Sequence, residues 1–239
     1  MSPSAFITGA DRGLGLALSA NLLQQGWTVF AGQYMEDWPE LKALQSRFPQ
    51  QLFIVPLDVA SDDSVSRASH HVGTLTRELD LLINNAGIGQ RDNFTPIEEG
   101  LAYDEMMEVY NINSLGPLRV VEGLLPLLRK GKGKRLCFIS SEAGSIGRSE
   151  RTSWFGYGMS KAALNMAVKN LFNHLRPRGF RFRLCHPGWM RTYMGGSKND
   201  AADLDPEYVA ERIVSYILDD TVDEDKLVMR DMDGKSWPW

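Results

Sequence analysis

Tyr157 and Lys161 lie four residues apart in Tyr157-Gly158-Met159-Ser160-Lys161-Ala162-Ala163-Leu164-Asn165. On a helix that spacing puts a phenol and an ammonium on one face. The pair suits carbonyl reduction: as hydride reaches carbon, the developing alkoxide needs a proton, and a phenol with an unperturbed pKa of about 10 can supply it. A nearby cation favours phenolate and should lower that pKa, and in the reverse direction the phenolate would act as base. Upstream, Phe138-Ile139-Ser140-Ser141 ends an apolar run, where a hydroxyl could donate to the substrate oxygen as charge develops.

Such chemistry needs a hydride carrier. The first apolar run leads into Thr8-Gly9-Ala10-Asp11-Arg12-Gly13-Leu14-Gly15, after which helical periodicity begins. A glycine-rich strand-to-helix turn lets backbone approach a pyrophosphate and aims free helix N–H groups at the anion. Taken alone, the same glycines could serve only a tight turn. The second apolar run ends Val29-Phe30-Ala31-Gly32-Gln33, with no acid for an unphosphorylated ribose 2′-hydroxyl, whereas the Arg12 guanidinium is suited to a 2′-phosphate. The expected cofactor is therefore NADP(H), ahead of NAD(H).

These groups must be held by a framework, and the chain supplies one in its alternation. Short apolar runs at Ala5–Thr8, Trp27–Ala31, Leu52–Pro56, Leu79–Ile83, Leu136–Ser140, Phe182–Cys185 and Leu227–Met229 read as seven strands. Helical segments separate them at Leu14–Gln25, Pro39–Arg47, Ser61–Leu75, Tyr103–Leu128, Tyr157–Leu175 and Pro206–Leu218, the last with Asp205 as an acidic cap before a first-turn proline. Regular alternation predicts α/β architecture: a single-domain, doubly wound, Rossmann-like parallel sheet over residues 1–239, with helices on both faces. In such sheets ligands bind beyond the carboxyl ends of the strands, where every motif above falls.

The G-x-x-x-G-x-G turn, Leu57-Asp58-Val59, Asn84-Asn85-Ala86-Gly87, Asn113, Ser141 and Tyr157-x-x-x-Lys161, in that order, resemble the short-chain dehydrogenase/reductase family. The tail Asp233–Trp239 and the long stretch from Ser141 to Tyr157 are similar to its C-factor/Sniffer-like carbonyl reductase branch. The resemblance implies a catalytic set of Asn113, Ser141, Tyr157 and Lys161, with Ser140 and Asn111 as the less favoured neighbours. Asn113 would hold a water in a proton relay through the lysine. It implies a cofactor path along Gly9, Asp11, Arg12, Gly13, Leu14, Gly15, Gln33, Asp58, Val59, Asn85, Ala86, Gly87, Tyr157 and Lys161, closed by Pro187, Gly188, Met190 and Thr192 of His186-Pro187-Gly188-Trp189-Met190-Arg191-Thr192. Asp58 would accept from the adenine amino group. Tyr34 stands where NADP(H)-preferring relatives carry a basic residue, Asp11 where a smaller or neutral residue is usual, and Tyr193 where Asp is expected.

Lys and Arg total 26 against 30 Asp and Glu, so a net charge of −4 gives no electrostatic ground for nucleic acid or an anionic membrane. Cys137 and Cys185 have no metal-ligand spacing, no metal site is expected, and both read as buried strand residues. With no signal-like leader and no apolar stretch of about 20 residues, a cytoplasmic protein is expected. The partners expected are a small carbonyl or alcohol substrate and further copies of the chain, as a homodimer or homotetramer through Tyr103–Leu128 and Tyr157–Leu175. Substrate should lie among Ile88–Asn93, Ala143–Trp154 and Trp189–Gly196. Phe94, Trp154, Phe155, Trp189 and Tyr193 are candidate walls, and Arg148, Arg151 and Arg191 candidate anion contacts. A second reading is a dinucleotide-binding signalling or regulatory protein of the C-factor type, with little turnover.

Overall fold

The computed structural model describes residues 2–89, 94–194 and 198–239. Alternating apolar and permissive segments fold as strands β1 (Ser4–Ile7), β2 (Thr28–Gln33), β3 (Leu52–Pro56), β4 (Leu81–Asn84), β5 (Arg135–Ile139), β6 (Arg181–Cys185), β7 (Met229–Arg230) and β8 (Ser236–Trp237). They form one sheet in the order β3-β2-β1-β4-β5-β6-β7-β8. β1 to β7 are parallel, as expected, and the short β8 returns antiparallel to β7, an edge strand that two residues of tail sequence do not announce. Strand order reverses between β1 and β4, which opens a crevice at their carboxyl ends.

Because side chains alternate across a strand, each face has its own core. Ala5 and Ile7 point to the side covered by α1 (Gly13–Gln24), α2 (Pro39–Arg47) and α7 (Pro206–Leu218), packing with Leu18, Leu22, Leu41 and Ile213. Phe6 and Leu82 point to the side of α3 (Asp62–Leu75), α5 (Gly116–Leu128) and α6 (Phe155–Leu175), packing with Val72, Val121, Leu124 and Val168. Cys137 and Cys185 are buried and free, with their Sγ atoms 3.9 Å apart on neighbouring strands.

Several local expectations are corrected. The segment Tyr103–Leu128 is not one α-helix: α4 (Tyr103–Tyr110) passes through a π-helical turn, Asn111–Leu115, into α5. Such an extra residue in the turn re-aims a side chain, and here it carries Asn113. Asp205 precedes α7 but makes no side-chain cap; its carboxylate takes Arg191 instead. α6 starts two residues before Tyr157, at Phe155. In the segments expected to carry assembly, Val121 and Leu124 are core, and the large apolar side chains left exposed include Tyr103, Met107 and Tyr110 on α4 and Met159 and Met166 on α6. No local pattern in the sequence marks Arg183, buried in β6 and held by both Glu224 oxygens at 2.8 and 3.0 Å.

Candidate active site

The glycine turn joins β1 to α1 under tight steric constraint. Gly9 has φ +62°, and a Cβ there would stand 2.9 Å from the Ala86 Cα; a Cβ on Gly15 would stand 2.0 Å from the Gly9 carbonyl oxygen. Neither position admits a side chain. Arg12 precedes the first turn of α1 without a side-chain cap, and that turn carries no acidic residue. Its N–H groups are thus left for an external anion, so the turn fits a dinucleotide pyrophosphate. Leu14 anchors the helix start in the core.

The neighbouring loop is fastened to this turn. The Asn85 amide donates to the Thr8 and Gly9 carbonyl oxygens, each at 3.0 Å, while the Asn85 and Ala86 N–H groups donate to Thr8 Oγ1 at 2.9 Å. Gly87 brings the path beside Asn113 and Lys161: an added Cβ would lie 3.1 Å from Asn113 Oδ1 and 3.6 Å from Lys161 Nζ. Asp58 Oδ1 accepts from the Ala60 N–H at 2.9 Å, and Val59 packs against Gly116.

At the end of β2, Gln33 is buried and donates to the Met35 carbonyl at 3.3 Å. Asp11 Oδ1 accepts the N–H groups of Tyr34 and Met35 at 2.7 and 3.0 Å; burial raises its pKa and these bonds oppose that rise. The Arg12 guanidinium lies 4.4 Å from the Trp38 ring centroid and 5.4 Å from that of Tyr193, and donates to the Tyr193 carbonyl at 3.2 Å.

The loop after β6 closes over the turn. Gly188 has φ +76°, Met190 pairs with Leu204, and the Thr192 side chain approaches Gly13, whose Cβ would meet it at 3.4 Å. Pro187 precedes this bend. Two parts of the expected substrate region, 90–93 and 195–196, lie outside the described residues.

The expected catalytic side chains come together at the carboxyl end of β5. The Ser141 hydroxyl stands beside the Tyr157 phenol, where it opposes the rise of the phenol's pKa, and Ser141 Oγ accepts the Ala143 N–H at 3.1 Å, capping a short turn. Ser140 points elsewhere, donating to Asn165 Oδ1 at 2.6 Å. Asn113 Nδ2 donates to the Ile88 carbonyl at 2.9 Å and to Ser160 Oγ at 3.1 Å, and its Oδ1 accepts the Ile88 N–H at 2.9 Å. Asn111 turns to Arg119 and Ala60.

One electrostatic expectation is overturned. Burial raises the Tyr157 pKa to about 12, with the Ser141 hydroxyl and Arg151 opposing and Glu142 assisting the rise. Lys161 does not depress it; burial pushes the lysine itself down to about 8, and Nζ donates to the Ile139 carbonyl at 3.0 Å. In the protein alone, desolvation therefore outweighs the charge that the helical spacing places nearby.

The candidate substrate walls also sort themselves. Trp154 meets Phe94 and Tyr157 edge-on, whereas Tyr193 packs on Trp38 and Trp189 is exposed. Each candidate anion contact already has a partner: Arg151 pairs with Glu142, Arg191 with Asp205, and Arg148 lies over Trp237. Glu142 also faces this site, and as one acidic residue after two serines it has no spacing that marks it in the sequence. No helix is long and apolar enough to cross a membrane, among the described residues.

Residues 3–203 match the family model of the short chain dehydrogenases. C-signal of Myxococcus xanthus is 38% identical over 164 residues, covering 69% of this chain and 95% of that protein. Carbonyl reductase Sniffer of D. melanogaster superposes with a TM-score of 0.89 at 28% identity, with all of both chains covered. The NADPH-bound carbonyl reductase from chicken fatty liver gives 0.86 at 31% identity, covering 100% of this chain and 99% of that one. The chain belongs to the short-chain dehydrogenase family, whose members are oxidoreductases.

Proposed function

We propose that this short-chain dehydrogenase transfers hydride between NADP(H) and a carbonyl or alcohol, with Tyr157 as general acid or base. The observation that carries the reading is that Ser141 and the buried Tyr157 and Lys161 come together at the carboxyl end of β5, the same sheet edge as the uncapped N-terminus of α1. Similarity to carbonyl reductases that bind NADPH or NADP supports the cofactor.

When bound, the dinucleotide supplies or accepts the hydride. Gly9, Gly13 and Gly15 admit its phosphates to the α1 N–H groups, with Leu14 fixing that helix. Arg12 serves the 2′-phosphate. Asp58 and Val59 border the adenine, Asn85, Ala86 and Gly87 line the path, and Pro187, Gly188, Met190 and Thr192 cover it. The Ser141 hydroxyl, which donates to Glu142 at 3.2 Å in the protein alone, turns to donate to the carbonyl oxygen, and Tyr157, protonated at neutral pH with its raised pKa, delivers the proton. Lys161, buried beside Gly87 and Asn113, fixes the ribose side and passes protons on to a water that Asn113 holds. Homodimer or homotetramer assembly through α4, α5 and α6 and a cytoplasmic location belong to the same reading.

The similarity to C-signal favours one other reading, a regulatory dinucleotide binder with little turnover. Titration with NADPH and NADH, followed by aldehyde, ketone and quinone screens for loss of nicotinamide absorbance, separates the two. Binding with turnover supports the reductase; binding without it supports the regulator.

A further inference from the structure

The residue after Ser141 is acidic and faces the site. Glu142 Oε2 accepts from the Ser141 hydroxyl at 3.2 Å, and its Oε1 is ion-paired with Arg151. The Arg151 guanidinium lies 4.6 Å from the Trp154 ring centroid, the Trp154 and Tyr157 rings meet edge-on at 5.7 Å, and the Ser141 hydroxyl stands beside the Tyr157 phenol. Five side chains thus close a ring beside the place where a carbonyl oxygen would meet Ser141 and Tyr157. Trp154 holds its part of it with φ +64°, a left-handed conformation that a bulky residue adopts only when its surroundings impose it.

This ring has a definite charge balance. Arg151 is the cation that a carboxylate on the substrate would seek, but Glu142 already neutralises it. Glu142 is itself only partly exposed and is held against the site from behind, where its N–H donates to His186 Nδ1 at 3.3 Å, and burial keeps His186 below its ordinary pKa. A second carboxylate would bring like charges together beside Glu142, whose one cationic partner is already paired. An uncharged group meets the rings of Trp154 and Phe94 with no such penalty.

We propose that Glu142 is a specificity-determining residue that, by neutralising Arg151 and standing against Ser141, restricts the site to uncharged carbonyl compounds and turns away those bearing a carboxylate. The proposal rests on the reading that the carbonyl is reduced at Ser141 and Tyr157. Glu142→Gln keeps an acceptor for the Ser141 hydroxyl and a similar shape while releasing Arg151 from its ion pair.

The test compares methyl 4-formylbenzoate with 4-formylbenzoate, using NADPH, in the wild type, Glu142→Gln, Arg151→Gln and the double variant. The wild type should favour the ester in kcat/KM by at least about tenfold. Glu142→Gln should narrow that ratio by at least about tenfold, chiefly through a lower KM for the carboxylate, Arg151→Gln should widen it, and the double variant should lose the gain of Glu142→Gln. Calorimetric titration of benzoate and benzamide into the same four proteins reads the charge without turnover. A rise in benzoate affinity in Glu142→Gln alone, with no aldehyde reduced by any protein, would uphold the charge assignment and remove the reductase reading. An unchanged ester preference together with unchanged benzoate affinity in Glu142→Gln, or a gain retained in the double variant, would overturn the proposal.

Discussion

Lys161 Nζ lies 5.7 Å from the centroid of the Tyr157 ring, one helical turn earlier, and donates to the carbonyl oxygen of Ile139, which ends β5. Helix and strand therefore meet at the lysine, and its ammonium carries a burial cost that appears as a pKa of about 8. Below pH ~8 both folded and unfolded chains hold this proton; between ~8 and ~10.4 only the unfolded chain does, so the lysine makes stability rise with pH through that window. Tyr157, raised to about 12, acts oppositely: above pH ~10 the unfolded phenol ionises first and stability falls. Urea unfolding at pH 8 and 9.5 should show a larger gain for wild type than for Lys161→Met. The same pH response in both proteins would mean that Lys161 is not the buried titrating group.

The phosphate turn makes a steric prediction. Gly15→Ala places a methyl group 2.0 Å from the Gly9 carbonyl oxygen and 2.7 Å from the Asn85 amide, so the turn must open. NADPH affinity, followed by quenching of tryptophan fluorescence, should fall by at least ~10-fold, because the α1 N–H groups no longer point at the pyrophosphate. Undiminished affinity would place the cofactor elsewhere.

Arg12 should set the preference for the phosphorylated cofactor. Arg12→Ala removes a charge-assisted contact of about 1.5–3 kcal/mol, which corresponds to roughly 10- to 150-fold in NADPH affinity, while NADH affinity changes little. Titration of both dinucleotides into both proteins measures the difference. Equal weakening of the two would show that the guanidinium only braces the loop through Trp38 and Tyr193.

The framework was legible in the sequence because its signals are local. Apolar runs bounded by glycine or acidic turns mark strands, and Pro39 and Pro206 mark helix starts that the structure keeps at the same residues. What escaped depends on tertiary placement. The π-turn at Asn111–Leu115 is invisible to a 3.6-residue periodicity, and β8 is defined by pairing with β7 rather than by its own two residues. Spacing correctly put Tyr157 and Lys161 on one turn, but the sign of the phenol's pKa shift came from burial, which spacing does not encode. The Glu142–Arg151 pair joins residues nine apart through an irregular loop, with no period to reveal it.

Assembly is expected through the exposed apolar side chains Tyr103 and Met107 on α4 and Met159 and Met166 on α6. Light scattering at micromolar concentration should give a mass of two or four chains of 26.8 kDa. Met107→Glu combined with Met166→Glu should return it to one chain. A wild-type mass of one chain would contradict the expectation.

Tyr157→Phe removes one hydroxyl and keeps the ring against Trp154, and so isolates the role of Tyr157 as proton donor to a carbonyl reduced by NADPH. Steady-state NADPH oxidation and NADPH affinity should be measured together in wild type and variant, on a carbonyl substrate found by screening. Turnover should fall by at least ~10²-fold with affinity nearly unchanged. Turnover close to wild type in Tyr157→Phe would contradict the assignment of Tyr157 as proton donor.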